Sequence, residues 1–168
     1  MQKKKEKLSM KKIALVLAFV FAVLTLAGCG STPSSSSGEK KLEGTLEEIL
    51  TKVYENSGAE LPATMNSELT DENSEYSVGV ARSEYKEGLV SDAMINAIAF
   101  SVAIMRTEDA ASAESLAATV AEKANPRKWI CVEAESVITQ HIGDVVILIM
   151  TEENTAKALS DSFMALAA

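Results

Sequence analysis

Cysteine and histidine are scarce: the 168 residues hold two Cys and one His. Two thiols exclude a disulfide-rich scaffold and a zinc-type Cys/His array. The chain has no Gly-rich phosphate loop, no GxSxG and no HExxH. Basic residues are too few and too dispersed in the body of the chain for a nucleic-acid surface. The formal charge is −8, whereas phosphate binding requires clustered Lys and Arg. At 47% apolar residues the chain is too hydrophobic to be a disordered acidic polymer. Its length suits one domain and not two substantial ones.

The basic residues that are present crowd the start. Lys3, Lys4, Lys5, Lys7, Lys11 and Lys12 are six of the 16. Ile13 to Leu26 then runs for 14 residues without a charge, short of the roughly 20 that a membrane-spanning helix requires. A basic start, a short apolar core and small residues at its end make a secretory signal. Its Lys-rich end stays on the cytoplasmic side. Met10-Lys11-Lys12 is itself a sufficient basic region, so translation from Met10 serves as well as from Met1.

Leu26-Ala27-Gly28-Cys29 resembles the lipobox of bacterial lipoproteins. The Cys29 thiol takes a diacylglyceryl group as a thioether, and small Ala27 and Gly28 let the signal peptidase reach the bond before Cys29. Two acyl chains, at ~0.8 kcal/mol per buried CH₂, anchor stably where one does not. A plain secreted protein, an uncleaved signal anchor and a chance Cys near the cleavage point are the competing readings. The expected division is a signal peptide over 1–28, lipidated Cys29 with a Ser/Gly-rich linker over 29–41, and a single domain over 42–168. Past Gly28 there are 23 acidic and 10 basic residues, a net charge of −13. Anionic head groups and wall polymers repel such a domain, so the acyl anchor does the holding. The linker GSTPSSSSGEKK spans about 20 Å as a flexible chain.

Within the domain, Thr45-Leu46-Glu47-Glu48 has capping-box spacing. Leu46, Ile49, Leu50, Val53 and Tyr54 then repeat at helical period up to Gly58. Leu61 to Ser74 reads as irregular and Tyr76 to Val80 as a short strand. Ala93 to Met105 reads as a central strand, large residues (Ile98, Phe100, Val102, Ile104) on one face and small ones (Ala97, Ala99, Ser101, Ala103) on the other. A helix through Ile95, Ile98, Val102 and Met105 also fits. Thr107 to Asn125 predicts a helix striped by Ala113, Leu116, Ala117, Val120 and Ala124. Val132 to Ile142 and Val145 to Met150 predict a hairpin turning at Gly143. A last helix, opening at Thr151-Glu152-Glu153, carries Ala156, Leu159, Phe163 and Leu166. The expected fold is α+β: order α-β-β-α-β-β-α, a mainly antiparallel sheet of about four strands, helices on one face.

The signal with Cys29, the segment Ser101 to Ala124, and Pro126-Arg127-Lys128-Trp129 before the hairpin Ser136 to Met150 together resemble the DUF4358 family, small Firmicutes lipoproteins of unknown function. The resemblance implies a Gram-positive cell envelope. It brings no activity, cofactor or catalytic residue.

Candidate chemistry is sparse. Cys131 and His141 form a minimal thiol–imidazole pair, but Cys131 in an apolar segment reads as a buried structural cysteine and His141 as a surface residue. Asp71, Asn73 and Glu75 open like a calcium loop, yet Tyr76 and Arg82 stand where Gly and Glu are needed. Glu133 and Glu135 share a strand face, where carboxylates either pair or face water. Arg127, Lys128 and Trp129 are the one basic-aromatic cluster and a candidate interaction patch, or else a core-closing Trp with two locally neutralised cations. No catalytic, metal or cofactor site is expected beyond the covalent lipid. The expected role is a non-enzymatic binding or accessory module on the outer face of the membrane, with an envelope protein or a small ligand as partner. The alternative is a small-ligand receptor feeding a transporter. An exposed apolar patch around Trp129 favours the first, and a pocket of convergent polar groups the second.

Overall fold

The computed structural model describes residues 41–168. The signal peptide, Leu26, Ala27, Gly28, Cys29, the two candidate start methionines and the linker up to residue 40 lie outside the described residues.

The first helix, α1 (Leu46–Ser57), starts where its capping box dictates. Glu48 N donates to Thr45 Oγ1 at 3.2 Å, and Thr45 N donates to Glu48 Oε2 at 2.9 Å, so two otherwise unpaired N–H groups are satisfied. Gly58, at φ +63°, ends it in the left-handed conformation. Next come β1 (Thr64–Glu68), the short helix α2 (Ser74–Val78), a single 3₁₀ turn (Arg82–Glu84) and β2 (Glu87–Ala93). β3 (Ser101–Arg106) leads into α3 (Ala110–Lys123), whose N-cap Asp109 accepts from Ser112 N at 2.8 Å. The hairpin β4 (Ser136–Ile142) and β5 (Val145–Thr151) turns at Gly143, φ +54°, and α4 (Glu153–Ala165) closes the chain.

The five strands form one antiparallel sheet in the order β1-β2-β3-β5-β4. β5 reads Val-Val-Ile-Leu-Ile-Met-Thr and every residue is buried. An uninterrupted apolar strand has to be covered on both faces. On one face, Val102, Ile104, Val145, Ile147 and Ile149 pack against α1 and α4, with Phe100 and Phe163 in the same cluster. On the other, Ala103, Met105, Val146, Leu148 and Met150 pack with Val78 and the α3 stripe of Ala113, Leu116, Ala117 and Val120. The expected contrast of large and small faces holds from Phe100 to Ile104 and ends at Met105, and the Ala-rich helix lies on the Ala103 side.

Several expectations require correction. The sheet has five strands rather than four, and the helices cover both faces rather than one. The order is α-β-α-β-β-α-β-β-α. Tyr76 to Val80 belongs to α2 and its exit, not to a strand. Ser74 Oγ turns inward, bonding the Val80 carbonyl at 2.7 Å and the Tyr85 hydroxyl at 2.5 Å, and this closes the segment into a helical turn. Leu61 to Ser74 is not wholly irregular: it holds β1, an edge strand whose residues are almost all exposed. Such a strand buries neither face and carries no apolar alternation. Ala93 to Met105 is neither one strand nor one helix. It ends β2, forms a loop over 94–100 and begins β3. The loop carries apolar residues that the packed core does not use: Met94, Ile95 and Ile98 are exposed.

Candidate functional site

The sheet has two unlike ends. At one, Arg106 holds the beginning of the domain. Its guanidinium donates to the carbonyls of Leu42 (3.2 Å) and Gly44 (2.8 Å), to Glu87 Oε1 (2.8 Å) and to Asp144 Oδ1 (3.4 Å). The chain therefore enters the domain at the Arg106 end of β3. Six residues of strand, about 17 Å, separate this from the Ser101 end. There the loops 94–100 and 124–135, the end of α1 and the start of α4 converge.

Lys128 organises that far end. Its side chain is 2% exposed. Nζ donates to Ser101 Oγ at 2.8 Å and to Asp92 Oδ1 at 3.0 Å, tying the 124–135 loop to the β2–β3 pair. The ammonium also lies 5.6 Å from the Tyr76 ring centroid and 5.3 Å from that of Trp129, within cation–π range. The Lys128 carbonyl accepts from the Tyr76 hydroxyl at 2.7 Å. Burial pulls the Lys128 pKa below the ordinary lysine value, against the opposing pull of Asp92. One residue thus fixes α2 and the Trp129 loop against the sheet.

A cleft of about 380 Å³ opens between them, lined by Tyr76, Asn96, Ala97, Lys128, Trp129, Ile130 and Cys131. Its walls are mostly apolar. Tyr76 is exposed, and Ile130 is as open as in an extended peptide, at 101%. With Met94, Ile95 and Ile98 on the adjoining loop, large apolar side chains gather at this end of the domain.

A second groove, about 400 Å³, shares this end. Glu60, Glu133, Glu135 and Glu152 line it, with Ile98, Ala99, Phe100, Val132 and Thr155. Glu133 is paired with Arg127 at 2.8 Å, and the Arg127 hydrogen bond holds its carboxyl below the usual range. Glu135 Oε2 accepts from Glu153 N at 3.4 Å, and Glu152 Oε1 from Thr155 Oγ1 at 2.6 Å. Among the described residues, no cation is paired with Glu60, Glu135 or Glu152.

The candidate patch therefore divides. Arg127 is exposed and tied to Glu133, Lys128 is buried under two rings, and Trp129 is half-buried against the α3-side core. Sequence reasoning missed Tyr76, Asn96, Ala97 and Ile130. Ile130 did carry a signal, as a large apolar residue outside any periodic stripe. Cys131, expected in the core, is exposed instead, because the segment before β4 is a surface loop and not a strand. His141 is half-buried on β4, beyond the sheet centre from the cleft, so it forms no pair with Cys131 there. Glu133 and Glu135 sit in the loop before β4 and bind separate partners. Asn73 serves its own turn, accepting from Thr70 N at 2.7 Å and donating to the Glu68 carbonyl at 3.0 Å.

Compared with known proteins, the chain matches no family model, no curated protein and no solved structure.

Proposed function

We propose that this chain is a lipid-anchored extracytoplasmic protein of a Gram-positive cell envelope, held to the membrane through Cys29, whose domain is a non-enzymatic binding or accessory module. The anchor rests on the lysine-rich start, the 14-residue apolar core and Leu26-Ala27-Gly28-Cys29. The binding role rests on one observation: an apolar cleft with exposed Tyr76 and Ile130 on its walls, at the end of the sheet away from where the chain enters. Exposed large apolar side chains gathered in one place mark contact surfaces. The cleft's charges are already matched, Lys128 by Asp92 and neighbouring Arg127 by Glu133, as a surface covered by another molecule requires. The Gram-positive envelope rests on the resemblance of the sequence to the DUF4358 lipoproteins.

A small-ligand receptor feeding a transporter is the second reading, favoured by the cleft's volume, which is within the range of small-molecule sites.

Cells expressing the tagged full-length chain and its Cys29→Ala variant are labelled with an alkyne fatty acid. The wild type is expected to take the label and fractionate with membranes, and the variant to lose the label and remain unprocessed. Equal labelling of the two overturns the anchor. Site-specific cross-linking from Ile130 in the same cells tests the binding role, which falls if Ile130 captures nothing that an exposed position on α3 does not.

A further inference from the structure

The cleft and the acidic groove are neighbours: Asn96 and Ala97 line the one and Ile98 to Phe100 the other, and the chain runs on from Ile130 and Cys131 in the cleft to Val132 and Glu133 in the groove. The cleft offers apolar walls without an unmatched charge. The groove offers three carboxylates, Glu60, Glu135 and Glu152, without a cation partner among the described residues. A lipid surface is a poor occupant. The −13 chain past Gly28 is repelled by anionic head groups. An acidic partner meets the same repulsion.

We propose that this end of the domain docks a basic polypeptide segment of an envelope partner, an apolar or aromatic side chain entering between Tyr76, Trp129 and Ile130 and a neighbouring Lys or Arg lying over Glu60, Glu135 and Glu152. The proposal rests on the binding-module reading and supplies the partner's chemistry. The apolar side chain leaves water for a wall of matched polarity and contributes most of the affinity. The long-range field of the acidic domain gathers the basic segment and sets its register. Lys128 is a positioning residue here: it holds the two aromatic walls and stays covered.

Trp129 is the only tryptophan in the chain, so it reports on the cleft directly. The full-length protein in a non-ionic detergent is titrated with a short Lys-rich peptide carrying one central Phe and a fluorescent label. Peptide anisotropy and Trp129 emission are followed together. Saturable binding with a blue shift of Trp129 is expected. Affinity should fall about tenfold or more on Ile130→Asp and on Glu135→Lys. Ile130 is fully exposed, so its replacement does not threaten folding. Ile130→Asp also adds negative charge, so a purely electrostatic association would tighten. Tightening or no change on Ile130→Asp overturns the proposal. So does equal binding of a Glu-rich peptide with the same Phe, full response to N-acetylphenylalanine amide alone (the small-ligand outcome), or absence of saturable binding. Fatty-acid labelling at Cys29 is scored on the same preparation. Labelling without peptide binding overturns the partner chemistry and leaves the anchored module standing, whereas binding without labelling removes the anchor and keeps the docking site.

Discussion

Lys128 Nζ lies 3.0 Å from Asp92 Oδ1, a buried ammonium set against a carboxylate that keeps 39% of its side-chain surface in water. The asymmetry matters. Removing the cation leaves Asp92 free to rehydrate, and removing the carboxylate leaves a buried charge with one hydroxyl and two rings. Lys128→Met is therefore expected to destabilise the domain by about 1–3 kcal/mol, at or below the usual range for a broken buried pair. Asp92→Asn should cost at least as much, and the double variant less than the two single losses combined. Urea unfolding followed by Trp129 emission measures all three.

The alkaline limb of stability sets one lysine against two tyrosines. Lys128 has a depressed pKa in the fold, so just below pH 10.5 the unfolded chain binds a proton that the folded one has lost, and stability rises with pH there. Tyr54 behaves in the opposite way. Burial pushes its hydroxyl from 10.0 up to about 12, so its contribution is complete below pH 10 and lost between pH 10 and about 12. The linked loss is roughly 2–3 kcal/mol. Tyr85, also raised by burial, adds to the fall. Tyr54→Phe should flatten most of the decline, and at neutral pH it gives up only the contact of the buried hydroxyl with Ser91. Urea midpoints across pH 8 to 12 decide this, and an unchanged decline in Tyr54→Phe refutes it.

Gly79 ends α2 at φ +79°, and a Cβ there would sit 2.6 Å from the Lys123 carbonyl oxygen at the end of α3. Both conformation and space forbid a side chain. Gly79→Ala is expected to destabilise by about 2 kcal/mol or more. It should also move Tyr76, which a red shift of Trp129 emission would report. A Gly58→Ala control faces strain at φ +63° but open space, and should cost less.

Ala103 on β3 and Ala113 on α3 are both buried to within 1% in the same core cluster. Ala103 is enclosed by packed neighbours in that cluster, so a larger side chain has to displace them. Ala103→Leu should cost about 1–3 kcal/mol through overpacking, and Ala124→Leu, at the half-buried end of the stripe, much less. Thermal unfolding of the two variants separates the cases.

Cys131 is exposed. In the folded Cys29→Ala chain, one thiol should react with a water-soluble disulfide reagent at the same rate before and after denaturation, within about tenfold. Strong protection in the fold would contradict the placement of the 129–135 loop, and with it the geometry of the cleft.

Much of the architecture was legible along the chain because it is local. The Thr45–Glu48 capping box, the left-handed stop at Gly58, the stripes of α3 and α4 and the Gly143 turn all depend on residues within a few positions of one another. The expected central strand was half right for a related reason. Its alternation of large and small residues is real from Phe100 to Ile104, but Met94, Ile95 and Ile98 are apolar without being core. Hydrophobicity registers the type of side chain and not whether anything covers it. Edge strand β1 was invisible because neither of its faces is buried.

The sequence by itself determined the class of fold, the start and stop of α1, the stripes of α3 and α4, the acidic balance and the lipobox-like start, since composition and short-range periodicity act before the chain collapses. Only the tertiary structure decided that β5 would be covered on both faces, that Lys128 would be buried while its neighbour Arg127 stayed outside, and that Tyr76 and Trp129 would both lie against the Lys128 ammonium. Those outcomes depend on residues 36 to 52 positions apart, Asp92 and Tyr76 against Lys128. A buried ammonium is tolerated only where the fold brings a carboxylate, a hydroxyl and two rings around it, and no local pattern encodes that meeting.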